Sequence, residues 1–321
     1  MNLRTPLIFY LVVSVTLIVS LLSIAFPVFA NFYGLFLVGL LVCFVGIPHG
    51  ATDHLVFYAL NKNNNYLINK VKFYFFYVFS ILAYTICWYL LPSLTFNIFL
   101  TISIYHLGQS NLYYLHLPNK IIKTCIYCCW GLFIITAAVV SNPQEVNYIT
   151  QYLSSDIWLS DINIRKYFLL LIIIINFLTI GLLFSLKYAN KKDLIREYLI
   201  LSVLGILFYT TPLMISFGIY FSIWHSLGST FDQIELLRNN TDNLKITDFY
   251  LRAIPLSIIS IIFLILVALF LNNFNIQELE KNLNATMAAF FIFLAAITFP
   301  HTIIRDKLYR KFTSDVESRN S

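Results

Sequence analysis

Four histidines, His49, His106, His225 and His301, are the side chains best placed to do chemistry, because each lies deep inside a long apolar run. An imidazole at membrane depth is costly unless a partner satisfies it. Neutral imidazole is also the commonest metal ligand and suits Fe, Zn, Cu and Ni. Counted inward from the outer ends of their runs, the four lie about 16, 10, 12 and 16 residues deep. At about 1.5 Å per residue those depths agree within about 9 Å. Four helices running in one direction could therefore present four imidazoles to one point. The competing account makes each a packed, hydrogen-bonded helix residue, and four at matched depth weaken it. No HExxH or two-His-plus-carboxylate spacing appears, so spacing alone leaves the metal unnamed.

Neighbouring residues refine the set. In Gly46-Ile47-Pro48-His49-Gly50-Ala51-Thr52-Asp53-His54, Asp53 follows His49 by four residues, shares its helix face, and could orient an imidazole or ligate. His54 is five residues on and points about 140° away. Gln109 follows His106 by three and Ser229 follows His225 by four, so both fall on the ligand side as candidate supporting groups. His116 ends its run beside Lys120 and reads as interfacial. Glycines gather near the histidines (Gly46, Gly50, Gly108, Gly218, Gly228). Close helix packing or close approach of a ligand would each account for them.

The elements that must position these residues follow from composition. The chain is 59% hydrophobic and 11% charged, against roughly 25% charged in soluble domains, with mean hydropathy +0.78. Lipid must act as its solvent, and the lack of ten-residue alternating segments selects helices over a barrel. The expected fold is an all-α, polytopic integral membrane helix bundle of about ten transmembrane helices. They fall near 6–26, 33–59, 73–91, 96–116, 122–140, 167–186, 197–211, 213–235, 252–271 and 285–304. Lys and Arg concentrate in alternate connections and in the tail, including Arg305, Lys307, Arg310 and Lys311, which places both termini in the cytoplasm. The net charge of +6 therefore reports membrane orientation and gives no nucleic-acid signal.

Residues 1–311 read as a single transmembrane domain and 312–321 as a short polar cytoplasmic tail. The first run, ending at Val28-Phe29-Ala30, is longer than a signal-peptide core and reads as the first membrane helix. Segment 141–166, with Trp158 and several tyrosines, suits an interfacial helix. The five cysteines all sit in apolar runs, and no His follows the CxxC at Cys125–Cys128, so haem attachment is not indicated.

Four short segments together resemble the bacterial Brp/Blh family of β-carotene 15,15′-dioxygenases. Ile47-Pro48-His49-Gly50-Ala51-Thr52-Asp53 is similar to that family's PHGAxD segment. Ile104-Tyr105-His106-Leu107-Gly108, Ile223-Trp224-His225-Ser226 and Phe299-Pro300-His301 resemble its later histidine segments, in the same order. The resemblance implies a multi-pass enzyme of the cell (inner) membrane with one non-haem Fe(2+), using O₂ to split the central double bond of β-carotene into two retinal molecules. It marks His49, His106 and His225 as iron ligands. Where the family carries a further histidine this chain has Ser229, so the fourth position goes to His301 or to water. Asn111 likewise stands where the family tends to carry an acid. A retinal product would link the protein to a retinal-binding rhodopsin.

Two departures at supporting positions keep a non-catalytic carotenoid- or retinal-binding relative as one alternative. A bis-histidine haem protein for electron transfer is another. A proton-relaying transporter is a third, made less attractive by the lack of inverted repeats.

Overall fold

All the described secondary structure is helical, as apolar runs in lipid require when every backbone polar group must be satisfied within its own segment. The structure, a computed structural model, describes residues 6–61, 65–115, 117, 119–152, 162–238, 245–271 and 283–320. His116, Trp158 and the second half of the 141–166 segment as far as residue 161 fall outside them.

In chain order, α1 (Pro6–Ala25) and α2 (Pro27–Leu41) form the first hairpin. A π-helical turn (Val42–Gly46) then leads into α3 (Ile47–Ala51) and α4 (Asp53–Leu60). Next come α5 (Tyr66–Leu90), α6 (Pro92–Leu112), α7 (Lys120–Ser141), the short α8 (Pro143–Tyr152) and α9 (Ile162–Ser185). After α10 (Lys191–Thr210), α11 (Leu213–Ile219) passes through a second π-helical turn (Tyr220–Ser226) into α12 (Leu227–Arg238). Two long helices close the chain, α13 (Ile246–Leu271) and α14 (Leu283–Asn320). The helix thus continues beyond residue 311, where the polar tail was expected to begin.

Among the described residues, seven helices are long and apolar enough to cross a membrane: Pro6–Ala25, Tyr33–Leu60, Tyr66–Leu90, Lys120–Ser141, Asn163–Ser185, Ile246–Phe270 and Ala288–Ser314. The other three expected spans fall on α6, α10 and the α11–α12 unit, so the count of ten is not reached by length and apolarity. Those three carry His106, Gln109, Glu197, His225, Asp232 and Gln233, which lie buried inside the bundle. Polar side chains turned inward lower a helix's apolarity without bringing it to the surface.

Sequence signals set several ends. Asn65, Asn119 and Asn190 cap α5, α7 and α10 with their side chains. At Asn190 the carboxylate of Asp193 returns the bond as a capping box. Pro212 ends the run after α10 and stands at the N-cap of α11. The first turn of α11 is anchored from α8, where Glu145 Oε2 accepts the Leu213 N–H at 3.0 Å. Glu145 lies in the connection outside the spans, and burial pushes its carboxyl above the ordinary range.

α6 is clamped to α7 by a reciprocal pair of glycines. A Cβ at Gly108 would lie 1.8 Å from the Tyr127 carbonyl oxygen, and one at Gly131 would lie 1.8 Å from that of Ile104. Two helix backbones touch here, which only glycine permits. His106, two residues before Gly108, is held in the interior by that contact.

Candidate metal centre

Each of the four histidines comes from a different helical unit. His49 lies on α3 directly after Pro48, which has no N–H to give to the preceding turn. The π-helical turn just before it absorbs this fault, with Ile47 N–H donating to Val42 O. His225 lies within the second π-helical turn, and the two turns pack on each other. A π turn inserts a residue and re-aims the side chains beyond it, and such turns gather at functional sites. His106 sits on α6, and His301 follows Pro300 inside α14.

The four rings form a closed circuit. Ring centroids are 4.8 Å apart for His49–His301 and 5.1 Å for His301–His106. They are 4.9 Å apart for His106–His225 and 5.4 Å for His225–His49. Ligand atoms of His49, His225 and His301 all lie within 4.8 Å of one another. All four side chains are buried, at 2–7% exposure. Nε2 of His49 and Nε2 of His301 are 3.2 Å apart.

Outer partners set which ring nitrogen of His301 and of His225 faces the centre. His301 donates its Nδ1–H to Asp53 Oδ2 at 2.8 Å, which leaves Nε2 with a lone pair. Ser110 donates its hydroxyl to Leu107 O and so can accept Nδ1–H of His225 at 3.1 Å. Gln233 Nε2 stands 3.0 Å from His49 Nδ1 and 2.9 Å from His49 O. Its Oε1 takes the Thr52 hydroxyl. Gln233 thus donates to both, and the His49 ring proton lies on Nε2, toward the lone pair of His301 Nε2. Arg305 Nη2, 3.1 Å from the His49 carbonyl, is a second donor to it.

His106 tests whether these residues fit a metal. It is 3% exposed, and neither ring nitrogen has a partner among the described residues. A buried imidazole with both nitrogens unsatisfied is costly, and an ion in the centre of the circuit removes that cost. Ligand nitrogens of His49, His225 and His301 lie close enough to share one ion, with the His106 ring beside them. His301 and His225 are each backed by an oxygen that accepts Nδ1–H, which is how metal-binding histidines are ordinarily held. The residues fit a divalent metal ion.

Asp53 is the hub of the surrounding polar network. Besides His301, its carboxylate accepts the Tyr77 hydroxyl at 2.9 Å and Arg305 Nη2 at 3.2 Å. Arg305 is 0% exposed and Asp53 1%, so this is a fully buried ion pair. Among the cationic residues of the tail, Arg305 therefore belongs to the site rather than to the membrane surface. It follows His301 by four residues and shares its face, a signal as plain in the sequence as that of Asp53. Gln233, two turns beyond His225, and Tyr77, on α5, carried no comparable signal.

The remaining candidates sit nearby with their donors directed elsewhere. Gln109 donates to Asp306 Oδ1 at 2.8 Å and to Tyr105 at 3.0 Å. The Ser229 hydroxyl pairs with that of Tyr309 at 3.0 Å and lines a small polar cavity with His225 and Asp232. His54 points away, with Nδ1 2.9 Å from Ala51 O and its ring against Tyr58 and Phe73. Asn111 donates to Glu197 Oε2 at 2.7 Å, so a carboxylate from α10 reaches the neighbourhood that lacks one on α6.

Over the imidazoles lies an apolar cavity of about 120 Å³, walled by Phe96, Phe99, Phe217, Phe221 and Leu294 among others. Its polar lining is little more than the four histidines, Ser103, Thr150, Thr298 and the hydroxyl of Tyr77.

A family model described as beta-carotene 15,15'-dioxygenase matches residues 40–309. A protein named beta-carotene 15,15'-dioxygenase from uncultured marine bacterium 66A03 is 26% identical over 284 residues, covering 87% of this chain and 96% of that protein. No solved structure matches.

Proposed function

We propose, starting from the fact that this chain belongs to the β-carotene 15,15′-dioxygenase family, that it is a membrane-embedded non-haem iron enzyme. It cleaves the central double bond of β-carotene with O₂. One C=C and one O=O bond are lost and two C=O bonds form, so two retinal molecules balance the equation with no further reductant. The observation that carries this reading is the circuit of four buried imidazoles beneath an apolar cavity. His49, His106, His225 and His301 would hold the ion, with His301 in the place that Ser229 does not fill. Iron(II) bound there would supply the redox chemistry through which O₂ reacts with a carbon–carbon double bond.

The chain's own residues have three tasks in this reading. The aromatic walls of the cavity receive the polyene and exclude water. Asp53 and Ser110 hold the tautomers of His301 and His225, and Gln233 pins the His49 ring. Arg305 balances the Asp53 charge, so the site stays neutral apart from the metal. The bilayer spares the enzyme from desolvating its substrate. In this reading both termini are cytoplasmic, which the excess of Lys and Arg in alternate connections supports. Ring centroids 4.8–5.4 Å apart leave no room for a porphyrin disc between the imidazoles, which speaks against haem.

Expression in cells that accumulate β-carotene tests the reading. The expected result is loss of colour with retinal appearing, abolished by His106→Ala. Persistent colour at normal membrane expression would refute it.

A further inference from the structure

A second apolar cavity, of about 290 Å³, lies on the other side of α3 from the first, between α5 and α13. Its walls include Phe73, Ile81, Leu256, Ser260 and Phe293, and its few polar groups are hydroxyls. The two cavities meet at three shared residues, Gly50, Tyr77 and Ile297. At Gly50 an added Cβ would have nothing within 4 Å, so the absent side chain leaves open space at the junction. This sets Gly50 apart from Gly46 and Gly218, where an added Cβ would meet Phe221 at 2.7 Å and Val38 at 2.2 Å.

The second cavity also faces the lipid. α5 packs on α14, while α13 packs on α14 and α3. Val78, Leu82 and Ile259 line the cavity and are 52%, 57% and 60% exposed. Lengths agree with a two-armed ligand. From Phe73 to Leu82 the α5 wall spans about 13.5 Å, and from Phe291 to His301 the α14 wall of the first cavity spans about 15 Å, at about 1.5 Å per residue. A forty-carbon polyene is about as long as the ~30 Å hydrocarbon core of a bilayer, so each cavity matches one half.

Resting on the carotenoid reading above, we propose that the cavity between α5 and α13 is the lipid-side arm of the substrate site. A long polyene enters from the bilayer through it. One half then stays there while the other fills the first cavity, and the central double bond lies where the two meet, at Gly50 next to His49 and over the imidazoles. Gly50 is thus a specificity-determining residue, admitting substrates with two full arms.

The test is retention of β-carotene by purified, iron-loaded full-length protein kept free of O₂, read by absorbance per chain, so that no turnover occurs. Ser260→Trp and Ile81→Trp narrow the second cavity and are expected to lower retention at least fivefold. The same variants should hold a polyene aldehyde with one arm removed within twofold of the wild type. Ile258→Trp, on the lipid face of α13, should behave as the wild type in both assays. If both cavity variants retain β-carotene as the wild type does, the lipid-side arm is refuted while the carotenoid reading stands. If the wild type itself retains no carotenoid, both fall together.

Discussion

Replacing Arg305 with methionine removes one half of the buried ion pair on which the histidine circuit rests. Methionine keeps much of the volume and loses the charge, leaving the Asp53 carboxylate with only Tyr77 and His301 as donors. With both partners at or below 1% exposure, water does not replace the guanidinium. Breaking such a pair from one side costs about 3–5 kcal/mol. At the low end of the usual conversion for larger domains, that is a fall of about 6–10 °C in thermal midpoint. The double change Arg305→Met with Asp53→Asn removes both charges and still leaves an oxygen to accept from His301. It should recover most of the midpoint. Iron affinity should stay low in the double variant, by about 10–100-fold, because the imidazole has lost its anionic partner. Thermal unfolding of detergent-purified protein and iron content per chain read the two effects separately. An Arg305→Met variant with unchanged midpoint and iron content would refute the buried pair. A double variant no better than the single would show that charge balance is not what Arg305 provides.

Three further outcomes follow from individual contacts. Gln233→Leu removes the amide that pins the His49 ring and should weaken iron binding about 10–100-fold, while Gln233→Asn, which keeps an amide, should lose less. Equal iron content in both variants would contradict that role. Ser229→His places a fifth imidazole beside the polar cavity that borders His225, and iron should stay bound or bind more tightly; expulsion of iron would mean residue 229 is not beside the metal. Glu145→Gln tests the buried carboxyl on α8, whose folded-state pKa is raised by burial. Stability from a raised carboxyl is fully present below the unfolded pKa and is lost as pH rises through the folded one. The wild type should therefore lose thermal midpoint relative to Glu145→Gln as pH rises above the ordinary glutamate pKa of about 4.3, and the opposite order would overturn the assignment.

That four histidine rings meet inside the bundle was legible because depth in a membrane is counted along the chain, one coordinate at about 1.5 Å per residue. Rotation about each helix is less legible, and the supporting residues depend on it. Asp53 and Arg305 both follow a histidine by four residues. Arg305 resembled an orientation signal because it stands beside Lys307, Arg310 and Lys311. Gln109 occupies the expected side of α6, yet Asp306 draws its amide away. The glycines divide the same way. Gly108 is a helix contact and Gly50 is an opening, a distinction that depends on which helix lies opposite. The all-α, multi-pass character was plain from composition. The hydropathy count of ten crossings is not confirmed: seven of the described helices are long and apolar enough, and α6, α10 and α11–α12 fall short because their polar residues turn into the bundle, which hydropathy cannot show.

The most direct measurement of the central claim is X-ray absorption at the iron edge of the purified, iron-loaded protein, with metal content determined on the same sample. The expected result is one iron per chain with a nitrogen shell carrying the outer scattering of several imidazoles, and loss of that iron in His106→Ala. A sulfur ligand, a porphyrin signature or a protein that takes up no iron would contradict the account.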